Sequence, residues 1–184
     1  MPARDYQDRI ANILKNIFDA SSIKTEWDSV KYDSHSGNHG IVYAPRHDIA
    51  VGPFNSYWDL DIGVDKTKTM MRHPFTKKLY KDILQYRDPL KKIWNSKSRC
   101  YLAIEIDFSG TSKHMLSSIV NASASGSIAI YIVKKTDSDK AVRLSNYLMR
   151  LEENEFLTFN MLRNLIIFKD DEFLEFLSTL KTSN

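Results

Sequence analysis

The 184-residue chain is 42% apolar and 11% aromatic, enough to bury one core and within the usual size of a single domain. Its one cysteine, Cys100, excludes an intrachain disulfide and a multi-cysteine zinc site, and reads as a small core residue at a strand start. No stretch reaches the roughly 20 apolar residues that span a bilayer, and "MPARDYQDRIANILKNIF" has no signal-type apolar run, so a cytoplasmic protein is expected.

From about Tyr6 to Ala20, the spacing of Ile10, Ile13, Leu14, Ile17 and Phe18 predicts an amphipathic helix. "SSIKTEWDSVKY" reads as a strand, and "DSHSGNHG" after it as loop. "IVYAPRHDIAVGPF" reads as a strand or strand pair, with Pro45 near its start and Gly52-Pro53 ending it. "DLDIGVD" is a further short strand. A basic segment follows, helical from about Thr76, with Pro74 before it and Pro89 breaking or restarting it.

Beyond Cys100, strands and helices alternate. "YLAIEIDF" is a strand, Ser112 to Ser125 a helix, "SIAIYIVK" a strand, Lys140 to Glu153 a helix, "NLIIFK" a strand and "DDEFLEFLSTL" a last helix. The alternation predicts an α/β fold: a central mixed β-sheet flanked by α-helices, in a single domain spanning 1–184. Small residues crowd the helix "TSKHMLSSIVNASASG", which permits a close approach to the sheet.

The net charge of +3 conceals an uneven distribution. From Lys66 to Arg99 eleven Lys and Arg face only Asp82 and Asp88, a local balance of +9 that leaves the rest of the chain at −6. Such a block is the footprint of a polyanion contact. Lys77, Lys78, Lys81, Lys91 and Lys92 are the candidate nucleic-acid-binding residues, and Tyr80, Tyr86 and Trp94 interleave them as stacking groups or as the helix's apolar side.

The acids Glu105 and Asp107 interrupt an apolar strand. Leu102, Ile104, Ile106 and Phe108 take one parity, and Tyr101, Ala103, Glu105 and Asp107 the other, so both acids fall on one face. Each buried carboxylate loses several kcal/mol of hydration unless compensated, and a divalent cation is the most direct compensation. In "RHDIAVG", Asp48 shares a parity with Ala50 and Gly52, while His47, Ile49 and Val51 share the other. If the two strands are neighbours, Asp48, Glu105 and Asp107 converge on one hard cation, Mg²⁺ or Mn²⁺. Asp59, Asp61 and Asp65 in "DLDIGVD" compete with Asp48 for the first place.

Other chemistries have weaker signals. His35 and His39 have the i, i+4 spacing of helical metal ligands but belong to a glycine-containing loop, and Ser109-Gly110 lacks the pattern of a nucleophile elbow. None of the six glycines forms a phosphate-binding loop, which disfavours nucleotide-cofactor enzymes.

"PRHDIAV", with "AIEID" on a later strand and a helix carrying Lys113, resembles the PD-(D/E)XK nuclease superfamily, the fold of many restriction endonucleases. The resemblance spans roughly residues 41 to 134. It implies a restriction endonuclease-like core over about 6–58 and 100–184, with 59–99 as a basic helical insertion. By position, Asp48 is the first acid and Glu105 the second, while Asp107 stands where the family usually has its Lys. Lys113 then supplies the ammonium from the following helix. The expected activity is that of a Mg²⁺- or Mn²⁺-dependent endonuclease, a hydrolase acting on the phosphodiester bonds of DNA, with a homodimer as the candidate assembly that brings two sites to two strands. The alternative is a non-catalytic nucleic-acid- or protein-binding module of the same fold.

Overall fold

The computed structural model describes residues 1–29, 46–56, 66–84, 95, 97–153 and 162–181. Five strands form one sheet: β1 (Ile23–Asp28), β2 (Arg46–Phe54), β3 (Cys100–Asp107), β4 (Gly126–Val133) and β5 (Leu165–Lys169). Their spatial order is their order in the chain. β1, β2 and β3 run antiparallel, whereas β3, β4 and β5 are parallel, so the sheet is mixed. Parallel neighbours need crossovers, and two helices supply them: α3 (Ser112–Ser125) between β3 and β4, and α4 (Ser138–Glu153) between β4 and β5. Helix α1 (Ala3–Leu14) precedes the sheet, α2 (Pro74–Leu84) precedes β3, and α5 (Asp170–Lys181) follows β5.

The helices divide between two faces. On one, Tyr6, Ile10 and Leu14 of α1, Phe75 and Leu79 of α2, and Phe173 and Leu177 of α5 pack on Ile49, Val51, Leu102, Ile104, Ile128, Ile130 and Ile132. On the other, Met115, Ile119 and Ala122 of α3 and Ala141 and Leu148 of α4 cover Ala50, Ala103, Ala129, Tyr131 and Val133. The result is an α/β protein with helices on both faces of a mixed sheet, as the alternating pattern predicts. Among the described residues no helix is long and apolar enough to cross a membrane.

Period 2 holds along most of β3 and fails at Tyr101. Parity groups it with Ala103 and the acids, yet its ring lies in the opposite core, 5.9 Å from Phe18, and its hydroxyl bonds Thr76 Oγ1 at 2.5 Å. The cause lies opposite, where the β2–β3 register shifts between Val51 and Phe54. A bulge of this kind re-aims the side chains around it. Cys100, beside Tyr101, is fully buried and donates to the Leu102 carbonyl at 3.3 Å, the core role expected of it.

Small residues let α3 lie close to the sheet, with Ala122 and Ser123 fully buried. Gly126, where α3 meets β4, is the tightest point: a Cβ there would sit 2.5 Å from the Ile128 carbonyl oxygen and 2.8 Å from the Ala103 nitrogen. Backbone cannot move aside as a side chain can. Gly126→Ala should therefore lower unfolding free energy by at least about 1–3 kcal/mol in urea titrations; an unchanged midpoint would show that the β3–β4 crossover has slack.

Two of the hydrogen bonds from α1 reach beyond β1. The Tyr6 hydroxyl donates to the Asp170 carbonyl at 2.6 Å, and Gln7 Nε2 donates to the Asp48 carbonyl at 2.7 Å.

Candidate active site

A cavity of about 500 Å³ opens at the carboxyl ends of β3 and β4, lined by Asp48, Glu105, Asp107, Phe108, His114 and Lys134 among others. Ligands of parallel sheets gather at that end, where the crossover loops leave the strands. Two of its acids come from neighbouring antiparallel strands, since β2 pairs with β3. The ladder pairs Ile49 with Ile104 and goes no further toward the carboxyl end of β3. From there the backbones part: the Asp48 carbonyl turns to Gln7 on α1, and its carboxylate Oδ2 accepts the Ile106 N–H at 2.7 Å. Asp48 thus replaces a missing backbone acceptor with a charged one.

Parting the strands also moves His47. Parity separates it from Asp48, but its Nδ1 lies 2.7 Å from Glu105 Oε1, and its ring, with no exposed surface, tilts against Trp27 at a centroid distance of 5.9 Å. Asp107 is held differently. Its Oδ1 accepts from the Ser109 amide at 2.8 Å and the Ser109 hydroxyl at 2.6 Å, and its Oδ2 accepts from the Tyr131 hydroxyl at 3.2 Å. The turn beyond it passes through Gly110 at φ +69°, a left-handed conformation that suits glycine, and Lys140 Nζ donates to the Gly110 carbonyl at 2.5 Å.

The electrostatics follow from burial and like charge. Glu105 and Asp107 are only 6% and 7% exposed. Burial, then the charges of Glu26 and Asp107, push the Glu105 carboxyl up to about 8. Burial and the Glu105 charge push Asp48 up to about 7 against the opposing pull of the Ile106 N–H. His47 is driven down to about 4 by burial, so the pair with Glu105 tends toward a neutral hydrogen bond rather than an ion pair. Tyr131 is also raised, first by burial and then by Asp107. Among the described residues no Lys or Arg ion-pairs with Asp48, Glu105 or Asp107.

These residues suit a hard cation in part. Asp48 Oδ1 and Glu105 Oε2 carry no hydrogen bond among the described residues, whereas both Asp107 oxygens are engaged. Two carboxylate oxygens with water completing the shell is a common way to bind Mg²⁺. Three-carboxylate convergence is not seen: no group of three or more His, Cys, Asp and Glu among the described residues is arranged to hold a metal.

Lys113 is an exposed residue in the first turn of α3 and does not line the cavity. Lys134 does, with its ammonium 5.6 Å from the centre of the Phe108 ring. The register explains the exchange. Asp107 pairs with Val133, so the residue after each strand, Phe108 and Lys134, emerges side by side. Aligning "AIEIDF" with "AIYIVK" as parallel partners would have exposed this from sequence.

Glu26 was also missed. It adopts φ +50° and accepts from Arg4 and Gln7, and its charge raises both Asp48 and Glu105. Nothing in "KTEWD" marks that conformation. Of the basic candidates, Lys77 and Lys81 are exposed on α2 and Lys78 is half-buried, while Lys91 and Lys92 lie outside the described residues. Asp59, Asp61, Asp65, His35 and His39 lie outside them too.

No protein-family model, curated protein or solved structure matches the chain.

Proposed function

We propose that the chain is a metal-dependent nuclease of PD-(D/E)XK type that hydrolyses phosphodiester bonds in DNA. The observation that carries the reading is the Asp48–Glu105 pair: two acids on adjacent strands, Glu105 buried and Asp48 half-buried, unpaired with Lys or Arg among the described residues, opening on a cavity. Like charges buried without a counter-ion are costly, and a divalent cation is what such a pair lacks. The element order α1, β1, β2, α2, β3, α3, β4 supports the reading, with one acid on β2, the next on β3, and α2 between them in the stretch expected as an insertion.

Asp48 and Glu105 would hold Mg²⁺ or Mn²⁺, which when bound supplies a water of lowered pKa and neutralises charge at the phosphate. Asp107, fixed by Ser109 and Tyr131, keeps a negative potential at the cavity wall and orients attacking water through its remaining lone pairs. Lys134 brings a cation to the lining of this cavity and stabilises charge developing on the phosphoryl oxygens. Cleavage of linear duplex and single-stranded DNA with Mg²⁺ or Mn²⁺, in wild type, Lys134→Met and Lys113→Ala, tests the reading. Wild type and Lys113→Ala should cleave, and Lys134→Met should lose on the order of 100-fold. No cleavage of any nucleic acid by the wild type with either metal would sink the nuclease assignment.

A binding module of the same fold is the second reading, favoured by Lys77 and Lys81 exposed on one helix. Duplex affinity in either case should fall steeply with salt. Replacing Lys77, Lys78 and Lys81 together with Ala should flatten the slope of log K against log salt by up to about 0.9 for each phosphate that α2 no longer neutralises. An unchanged slope would remove α2 from the DNA-binding surface.

A further inference from the structure

We infer that His47 is a positioning residue that confines Glu105 to one-oxygen ligation and so makes the site select Mg²⁺ or Mn²⁺ over Ca²⁺. The inference rests on the two-carboxylate site proposed above. His47 has no exposed surface, its Nδ1 lies 2.7 Å from Glu105 Oε1, and its Nε2 has no hydrogen-bond partner among the described residues. A buried polar atom left unsatisfied is a penalty that a leucine in the same place would avoid. Packing against Trp27 therefore does not account for a histidine here. The bond to Glu105 does.

Once Glu105 is ionised as a ligand, the Nδ1–H donates to Oε1 and holds it, leaving Oε2 as the oxygen for an ion. Asp48 is confined the same way, because its Oδ2 is held by the Ile106 N–H and only Oδ1 remains. Two carboxylates each offering one oxygen match the small octahedral shell of Mg²⁺. Ca²⁺ takes six to eight oxygens at longer range and gains from carboxylates that swing to offer both. Hydrogen-bond partners of ligating groups typically govern 10- to 100-fold in affinity, and here that leverage falls on the choice of ion.

The test is calorimetric titration of wild type, His47→Leu and His47→Asn with Mg²⁺, Mn²⁺ and Ca²⁺, together with the cleavage assay. His47→Asn keeps an N–H donor near the Nδ1 position, and His47→Leu removes it. Wild type should prefer Mg²⁺ and Mn²⁺ to Ca²⁺, His47→Leu should narrow that ratio by about 10-fold or more, and His47→Asn should restore most of it. A loss of affinity shared equally by all three ions in His47→Leu would mark a packing role and overturn the inference. So would a wild type that binds none of them. Binding with the expected selectivity but no cleavage would leave the role of His47 standing and remove the nuclease reading. Cleavage with unaltered selectivity in His47→Leu would do the reverse.

Discussion

Glu105→Gln should abolish metal-dependent cleavage, lowering the rate on the order of 100- to 1,000-fold, while the protein stays folded. The substitution keeps the shape of the side chain, and its amide oxygen can still accept from His47 Nδ1, 2.7 Å from Oε1 in the native protein. What it removes is the negative charge at Oε2. The loss of one preorganised electrostatic group at a reacting centre has effects of that size. Without metal the variant should be as stable as wild type or more so, because Asp48 no longer faces a second acid. Cleavage rates and urea midpoints measured side by side decide the matter: activity retained in a folded Glu105→Gln protein would take Glu105 out of the chemistry.

In the presence of a chelator, stability should fall as pH rises toward 8. Asp48 and Glu105 have folded-state pKa values of about 7 and about 8, well above their ordinary values, so the folded state binds more protons than the unfolded chain across that interval. Their favourable contribution is full below about pH 4 and is lost as pH rises through the folded values, at up to about 1.4 kcal/mol per pH unit for each group. His47 acts oppositely. Its folded value, near 4, is depressed, so its contribution is present above about 6.5 and lost as pH falls toward 4. Between about 4 and 6.5 it offsets one of the acids, and the unopposed decline is concentrated between about 6.5 and 8. The expected loss is a few kcal/mol. Millimolar Mg²⁺ should recover it at pH 8, since an ion that binds only the folded state stabilises it by mass action. Chemical denaturation at pH 5.5, 6.5 and 8 with and without Mg²⁺ measures this, and a flat profile in chelator would mean that the acids ionise freely in the folded protein.

Much of the fold was legible because its elements are locally consistent. The alternating residues of "YLAIEID" and "SIAIYIVK" announced strands, and both crossover helices began within two residues of their expected starts. Period 2 misled wherever strands were irregular. It placed Tyr101 with the acids, though the register shift in β2 turns it to the other core. It placed His47 away from Asp48, though the ladder ends at Ile49 and both residues address β3. Parity presumes a continuous ladder, and neither bulges nor ladder ends are written in the hydrophobic pattern. The exchange of Lys113 for Lys134 has a different origin. Spacing along the chain pointed to the next helix, while parallel pairing brought in a residue from the next strand. Glu26 could not be read at all, because its left-handed backbone carries no residue preference in its favour.

The bond from the Tyr6 hydroxyl to the Asp170 carbonyl spans 164 positions. A ribosome adds residues from the amino end, so α1 is made well before the partner of its hydroxyl. Gln7, the next residue on that helix, braces Glu26 and the Asp48 carbonyl. During translation α1 therefore lacks one of its anchors until Asp170 has emerged, and the acidic strands it steadies are held less firmly until then. Long-range closure of this kind slows folding because chain entropy is lost before the bond repays it. The order of synthesis thus delays full anchoring of α1 until β5 and the start of α5 have been made.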